Sequence, residues 1–224
     1  MLYILDTADL DAIKHCNEYY PLAGVTTNPS IIAKENTDFW VLVKEIRKII
    51  GDDKMLHIQT TQDTAEKIVE EAKLLKYELG GEFYIKIPIS EEGLKATKML
   101  KKEGIGVTMT AIFTPPQALV AAKAGAAFVA PYANRLDNII GDGCEVVAQI
   151  VEELDRYDLD CQVIAASFKN AEQVHKCAMA GCHCVTVTGD LLKLIISHPM
   201  TDAAVESFKK DWASVYGEKT ILDF

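Results

Sequence analysis

The sequence has little positive charge and no long apolar run. Its 33 Asp and Glu residues outnumber its 23 Lys and Arg residues, which gives a formal net charge of -10. Nucleic acids and anionic membranes attract clusters of basic residues, so this balance predicts neither as a partner. No apolar stretch reaches the roughly 18 residues that a membrane-spanning helix needs. An anionic substrate would therefore be held by a few local cations or by helix N-termini.

The sequence also lacks an export signal and any cysteine pattern typical of a disulfide framework. The first residues include no basic segment and no cleavage site, and the six cysteines are scattered. We therefore expect reduced thiols in the cytoplasm. Cys182, His183 and Cys184 form the one cluster that suggests a metal site. No second pair of ligands lies at a spacing typical of zinc, so we expect packing there instead.

Short apolar runs alternate with amphipathic helical patterns along the chain. The runs that predict strands are Leu2–Asp6, Gly24–Asn28, Met55–Thr60, Phe83–Pro88, Gly106–Ile112, Phe128–Tyr132, Cys161–Ser167 and Cys184–Thr188. Eight strand and helix units in 224 residues are close to the minimum for a (β/α)₈ TIM barrel. The alternative is a doubly wound open sheet, but the first strand is not followed by a Gly-x-Gly-x-x-Gly turn. We predict one α/β barrel domain, 1–224, with an extra C-terminal helix over about Ala203–Tyr216.

The fourth run, Phe83–Pro88, carries a lysine among aromatic and β-branched residues. A buried ammonium is costly without a partner, so Lys86 is expected to lose its proton. A neutral, desolvated lysine is a nucleophile for carbonyl carbon, which makes Lys86 a candidate for Schiff-base formation. Taken alone, the run is more typical of a lysine that extends to water at a strand end.

Polar residues collect at the carboxyl ends of the predicted strands, where the active site of such a barrel lies. They are Asp6, Thr26, Asn28, Gln59, Lys86, Thr110, Tyr132, Ser167 and Thr188. Side chains alternate across a strand, so Lys86 should face the barrel interior with Tyr84, while Phe83 and Ile85 face the helices. A helix cap or a satisfied core hydroxyl could explain each residue separately. Their common position favours a site around Lys86.

Two segments beyond these strand ends could hold an anion. Arg135 follows the sixth strand, and Ser167 and Lys169 lead into a helix, where a hydroxyl, a cation and free N–H groups suit phosphate. The alternatives are a surface ion pair for Arg135 and an N-cap for Ser167. A carbonyl-attacking lysine near two anion holders predicts an enzyme that acts on a phosphorylated ketose.

Six short runs, spread over almost the whole chain, follow the order of a known family. They are Leu5-Asp6-Thr7, Gly24-Val25-Thr26-Thr27-Asn28-Pro29-Ser30, Ile85-Lys86-Ile87-Pro88, Thr110-Ala111, Ala130-Pro131-Tyr132-Ala133-Asn134-Arg135 and Ala165-Ala166-Ser167-Phe168-Lys169. On these runs the sequence resembles the small transaldolase family, in the branch that contains fructose-6-phosphate aldolase. The resemblance implies a class I aldolase barrel with no metal and no organic cofactor.

The resemblance also implies roles for individual residues. Lys86 matches the Schiff-base lysine of the family. Asp6 and Asn28 match residues that orient the donor ketose and assist proton transfers, and Thr26, in the same run as Asn28, is expected in the substrate site.

At the other end of the substrate, Arg135 and Ser167 match the phosphate-binding pair of the family. Lys169 is expected to be a third member of this group. The resemblance therefore implies small-molecule sugar phosphates as substrates.

Three residues bear on which reaction follows. Gln59, Thr110 and Tyr132 match the side chains that hold a water near the Schiff base, and this combination resembles the aldolase type. Transaldolases typically have glutamate and phenylalanine in place of Gln59 and Tyr132. A tyrosine hydroxyl offers a proton for the enamine, whereas a transaldolase must keep the enamine unprotonated until an acceptor arrives.

One departure concerns the donor. His57 and Thr108 share the inward parity of Gln59 and Thr110, one layer deeper, where the family resemblance leads us to expect larger apolar residues. A lone buried histidine is usually a satisfied core residue, but we expect these two residues to make the donor pocket more polar, which leaves the donor preference open. An anionic six-carbon ketose other than a phosphate, such as a sugar sulfonate, then remains open.

The main hypothesis is cleavage of fructose 6-phosphate to dihydroxyacetone and glyceraldehyde 3-phosphate. Transaldolase activity in the pentose phosphate pathway is the nearest alternative, followed by a lysine-independent phosphosugar isomerase and by a non-catalytic sugar-phosphate sensor. The family commonly assembles as a decamer of two pentameric rings. We therefore expect a homo-oligomer in which residues 202–224, the C-terminal helix and tail, pack on a neighbouring subunit.

Overall fold

The computed structural model describes residues 1–224, in which eight parallel strands pair in chain order and close into a barrel. The strands are β1 Leu2–Asp6, β2 Leu22–Thr26, β3 Met55–Gln59, β4 Phe83–Pro88, β5 Gly106–Ile112, β6 Phe128–Pro131, β7 Gln162–Ala165 and β8 Cys184–Val187. The predicted barrel is confirmed. The second strand was misplaced in the prediction, because pairing with β1 and β3 begins at Leu22 and ends at Thr26, before Asn28.

Helices follow the strands and surround the barrel. They are α1 Leu10–Tyr19, α2 Pro29–Lys34, α3 Phe39–Ile50, α4 Ala65–Leu79, α5 Glu91–Lys102, α6 Pro115–Ala124, α7 Ala133–Asp137, α8 Gly143–Arg156, α9 Ala171–Met179, α10 Gly189–Ile196 and α11 Pro199–Tyr216. Polar residues begin several of them: the side chains of Asp9, Asp38 and Asn170 accept hydrogen bonds from backbone N–H groups in the first turn. Sequence patterns did not predict α7, because five residues are too few to show a helical period.

The apolar core has two compartments. A cluster of 47 buried residues fills the layer between the strands and the helices, and it includes Phe83 and Ile85. A separate cluster of five, Ile4, Phe128, Ala130, Ile164 and Cys184, lies inside the barrel, with Tyr84 packed against it. The alternation predicted for β4 is therefore confirmed, and Lys86 has the same inward parity as Tyr84.

The inward side chains form layers of four. The pairing register shows that odd-numbered and even-numbered strands supply alternate layers. Above Gly24, Tyr84, Phe128 and Cys184 at the amino-terminal end come a histidine layer (Ile4, His57, Thr108, Ile164), a lysine layer (Thr26, Lys86, Ala130, Thr186) and an upper layer (Asp6, Gln59, Thr110, Ala166). The interior changes from apolar to polar along this axis. Lys86 lies at the boundary, two layers above the aromatic floor.

The last helix, α11, has 18 residues and none of them is buried, which otherwise is true only of the six-residue helix α2. Pro199 starts it four residues before the predicted start, as expected for a proline in the first helical turn. None of the helices combines the length and apolarity that a membrane crossing requires. All six cysteines are buried and free of disulfides.

Candidate active site

A cavity of about 780 Å³ opens at the carboxyl ends of the strands. Eight of the ten residues predicted from the sequence line it: Asp6, Asn28, Gln59, Lys86, Tyr132, Arg135, Ser167 and Lys169. The other two, Thr26 and Thr110, are buried and do not line it. These eight residues come from six of the eight strand ends, and Ala111 and Thr186 add the ends of β5 and β8.

Lys86 is 5% exposed and reaches the base of this cavity. Its Nζ donates a hydrogen bond to the backbone oxygen of Thr27 at 3.0 Å. Burial lowers the pKa of Lys86, and the Asp6 carboxylate opposes this shift to a smaller extent. Because burial dominates, the neutral amine is favoured, with one N–H directed to Thr27 and a lone pair available for attack on a carbonyl carbon.

The Asp6 carboxylate is held by a chain of two hydroxyls. Thr26 Oγ1 donates to Asp6 Oδ1 at 2.8 Å and also hydrogen-bonds to Thr186 Oγ1. Thr26 thus orients Asp6 from below. Thr186, which is 4% exposed, was missed in the sequence, although its position two residues before the polar strand end at Thr188 gives it the same inward parity.

Tyr132, directly after β6, lines the cavity and is fixed by three neighbours. Its hydroxyl and Thr110 Oγ1 are 3.2 Å apart, its ring meets Phe113 edge to face at 5.5 Å, and the Arg135 guanidinium carbon lies 4.7 Å from the ring centroid. Gln59 lines the cavity separately. The hydrogen bond within the predicted water-holding group therefore joins Thr110 and Tyr132.

Asn28 lies just beyond β2 and caps α2. Its Oδ1 accepts from the Ile31 N–H at 3.0 Å, which leaves the amide NH₂ uncommitted to this cap. Asn28 can therefore cap α2 and contact a substrate at the same time. A cap on one amide atom and a substrate contact on the other would both be available.

The outer part of the cavity is cationic, although the chain as a whole is acidic. Arg135, Lys169 and Lys34 line it with the single outer carboxylate of Glu35. Arg135 has no carboxylate within salt-bridge distance, unlike eight other Lys and Arg residues of the chain. Lys34 was missed in the sequence because its place at the end of the short helix α2 carries no distinctive pattern. These cations provide a local binding site for an anion.

Two lining residues have left-handed backbone conformations that are uncommon for residues other than glycine. Ala111 has φ of 57° and Ser167 has φ of 65°. Ala111 lies where the pairing of β5 with β6 shifts register. Ser167 is the first residue past the bridge between Tyr132 and Ala166. Such strain persists only where surrounding contacts fix the backbone, and it is concentrated at binding sites.

His57 and Thr108 do not behave as predicted. Both are buried, at 0% and 1% exposure, and neither lines the cavity, so the expected polar donor pocket is wrong for these two residues. His57 Nδ1 and Thr108 Oγ1 are 2.8 Å apart, and the imidazole stacks on Tyr84 at 4.9 Å. The physical reason is depth: the complete lysine layer separates them from the cavity.

The cysteine and histidine cluster lies at the amino-terminal end of β8 and does not line the cavity. Cys182 and Cys184 are buried, and His183 Nδ1 accepts a hydrogen bond from the Val163 N–H at 3.1 Å. Each member is accounted for by local packing or hydrogen bonding, as predicted.

A buried amine, a carboxylate and a hydroxyl, together with cations that line the same cavity, can do carbonyl chemistry on an anionic sugar. The family model described as Transaldolase/Fructose-6-phosphate aldolase matches residues 3–219. The chain belongs to this family. It is therefore an enzyme of the aldolase and transaldolase type, and this confirms the resemblance seen in the sequence.

Two relatives illustrate the two activities within the family. A protein named "Probable transaldolase" from Thermoanaerobacter sp. (strain X514) is 43% identical over 212 residues, covering 95% of this chain and 97% of that protein. A protein named "Probable fructose-6-phosphate aldolase" from Streptococcus pneumoniae (strain ATCC 700669 / Spain 23F-1) is 38% identical over 222 residues, covering 99% and 100%. Overall identity therefore does not separate the two activities.

Among solved structures, a native KDPGal structure is similar with a TM-score of 0.57 and 19% identity, over 85% of this chain and 82% of that chain. At this identity the likeness shows the fold alone. It agrees with the closed barrel described above.

Proposed function

We propose that this enzyme is a Schiff-base aldolase that cleaves fructose 6-phosphate to dihydroxyacetone and glyceraldehyde 3-phosphate. The observation that carries the proposal is Lys86, a buried amine of lowered pKa that opens into a cavity lined by Asp6, Tyr132 and Arg135. The 6-phosphate lies near Arg135, Ser167 and Lys169 in this proposal, and the carbonyl carbon lies at Lys86.

The reaction begins at the ketose carbonyl. The Lys86 lone pair attacks C2, the carbinolamine loses water, and a protonated iminium forms between Nζ and C2. The hydrogen bond to Thr27 at 3.0 Å holds Nζ in place for this attack. The iminium then provides an electron sink next to the C3–C4 bond.

Once the iminium has formed, the C3–C4 bond is cleaved and the products are released. The C4 hydroxyl loses its proton to a base formed by Asp6 and a Tyr132-bound water, the C3–C4 pair moves into the iminium, and glyceraldehyde 3-phosphate leaves. The remaining enamine takes a proton at C3, and water then hydrolyses the resulting iminium. This last step releases dihydroxyacetone and restores the neutral Lys86 amine.

Transaldolase is the second candidate, because relatives carry both names. In that cycle the enamine is not protonated but attacks an acceptor aldehyde. Tyr132 favours the aldolase, since a hydroxyl paired with Thr110 at 3.2 Å can deliver a proton to C3 from within the cavity. A phenylalanine at this place would offer none.

Incubation with fructose 6-phosphate alone, then with an added four-carbon aldose phosphate, tests the proposal. We expect dihydroxyacetone to accumulate over many turnovers without an acceptor. If glyceraldehyde 3-phosphate is released in a single turnover, and further turnover waits until the acceptor is added, the enzyme is a transaldolase. Turnover of neither kind overturns both candidates.

We also propose that the enzyme acts as a homo-oligomer, with α11 as the contact, and that the decamer implied by the family is its form. Val205, Phe208, Trp212 and Val215 follow each other along one face of this helix and are all exposed in the single chain. Light scattering of the wild type and of a Phe208→Glu, Val215→Glu variant tests this. We expect a large assembly that the variant dissociates, and a monomeric wild type would contradict the proposal.

The six free, buried cysteines support a cytoplasmic location. Fractionation of the source cells should place the activity with cytoplasmic markers. Recovery with an exported marker would contradict this.

A further inference from the structure

Gln173 is a buried amide in α9 that touches neither Lys86 nor the cavity, yet all of its amide atoms are in use. The residue is 8% exposed. Its Oε1 accepts from the Lys169 N–H at 2.8 Å, and its Nε2 donates to Asn134 Oδ1 at 3.2 Å and to Asp137 Oδ2 at 2.5 Å. A buried amide with this many partners is costly to replace.

These partners belong to the two separate segments that form the cationic end of the cavity. Lys169 lies on the loop that follows β7, together with Ser167. Asn134 and Asp137 flank Arg135 in α7, which has only five residues. Such a short helix has little stability of its own, so its place depends on contacts with its neighbours.

Further hydrogen bonds hold α7 against its neighbouring segments. The Asn134 N–H donates to the Ser167 carbonyl at 2.9 Å, and Asp137 Oδ1 accepts from the Gly143 N–H at 2.8 Å. Ser167 is the residue with φ of 65°. Because left-handed strain must be balanced by neighbouring contacts, the position of α7 and the conformation of Ser167 are coupled.

We propose that Gln173 is a positioning residue that sets the spacing between Arg135 and the Ser167 to Lys169 loop, and thereby the preference for substrates carrying an anionic end group. The inference rests on the proposed function, since it assigns the phosphate to this end of the cavity. Gln173 has no part in the chemistry at Lys86. Its loss separates the two arms of the anion site and leaves the amine unchanged.

The test compares the same carbon–carbon bond formation with two acceptors. Dihydroxyacetone is condensed either with glyceraldehyde 3-phosphate or with glyceraldehyde, and kcat/KM is measured for each. For Gln173→Met we expect the ratio of the phosphorylated to the unphosphorylated acceptor to fall roughly 10- to 100-fold, mainly through KM. Reductive trapping of dihydroxyacetone on Lys86 should keep its wild-type rate.

A rescue distinguishes positioning from general damage. Gln173→Glu keeps the acceptor for Lys169 but sets a carboxylate against Asp137, so we expect a ratio as low as that of Gln173→Met. Adding Asp137→Asn to Gln173→Glu makes position 137 the donor and position 173 the acceptor of their hydrogen bond. This double variant should recover a substantial part of the wild-type ratio. Gln149→Met is the control, because Gln149 is exposed on α8 and bonds only to Glu145 in its own helix.

Two results would overturn the proposal: an equal fall of kcat/KM with both acceptors, or an unchanged ratio. Failure of the proposed function is distinguishable in the wild type, as a missing Lys86 adduct or, for a transaldolase, as an adduct that releases no dihydroxyacetone without an acceptor. In that event, binding of fructose 6-phosphate and of inorganic phosphate to the wild type and to Gln173→Met still tests the anion site by calorimetry. Weaker binding of both by the variant supports it, and equal binding contradicts it.

Discussion

Lys86 and His57 lie in adjacent layers of the same barrel, and burial lowers the pKa of both. They differ in access. Lys86 lines the cavity, whereas His57 is fully buried, hydrogen-bonded to Thr108 and stacked on Tyr84. Burial therefore favours the neutral form of two groups here, and only the one that reaches the cavity can meet a substrate.

The layers also differ in their surroundings. Above Lys86, the upper layer supplies Asp6 and Thr110, and the hydroxyls of Thr26 and Tyr132 complete hydrogen bonds to them. Below it, His57 Nδ1 and Thr108 Oγ1 share a hydrogen bond among apolar side chains, while His57 Nε2 is buried without a partner. We infer that the upper layers carry the reaction and that the histidine pair serves the fold.

Replacing the nucleophile should have the largest effect. Lys86→Met preserves volume and removes the amine, so we expect kcat to fall roughly 10³-fold or more with an unchanged far-UV spectrum. Lys98→Met is the control, because Lys98 is exposed on the helix that follows the same strand. Retention of activity in Lys86→Met would favour the lysine-independent isomerase.

The histidine pair should control stability in acid. Burial, with a smaller contribution from Lys86, lowers the pKa of His57 from 6.5 to about 3. Below pH 6.5 the unfolded chain binds this proton and the folded chain does not, so the free energy of unfolding falls as pH falls, by about 1.4 kcal/mol per pH unit.

A His57→Phe, Thr108→Val variant removes both the titrating group and its partner. Between pH 6.5 and pH 4, the free energy of unfolding of this variant should fall by about 3 kcal/mol less than that of the wild type, as measured by urea unfolding across the pH range. Its kcat should change much less than that of Lys86→Met. His175→Asn, at an exposed position of α9, is the control. Parallel pH curves for the variant and the wild type would contradict the assignment.

Tyr132→Phe tests the fate of the enamine. Without the hydroxyl, protonation at C3 should slow, so we expect dihydroxyacetone release to fall roughly 10- to 100-fold while transfer to an acceptor persists. The ratio of transfer to release is the measurement. An unchanged ratio would remove Tyr132 from the protonation step.

The smallest effect concerns stability near neutral pH. Burial lowers the pKa of Lys86 from 10.5, so the unfolded chain binds the proton more tightly than the folded chain. Stability from this group is complete above pH 10.5 and is lost as pH falls. Lys86→Met should therefore be more stable than the wild type at pH 7, and the difference should shrink toward pH 10. Chemical denaturation measures it, and a less stable variant would oppose a neutral Lys86.

Strand positions and side-chain parity could be predicted because a two-residue period is local. The alternation in β4 placed Lys86 inside the barrel without any knowledge of its neighbours. Depth was harder to predict, since whether His57 reaches the cavity depends on which layer closes above it. Gln173 left no sequence signal, because its partners Asn134 and Asp137 lie on another helix. Only the fold brings these residues together.

Reductive trapping tests the central claim most directly. The enzyme is incubated with fructose 6-phosphate and borohydride, digested, and examined by mass spectrometry. The proposed mechanism predicts one reduced sugar adduct, on the peptide that contains Lys86, and its absence from Lys86→Met. An adduct on Lys34 or Lys169, which also line the cavity, or no adduct during active turnover, would contradict it.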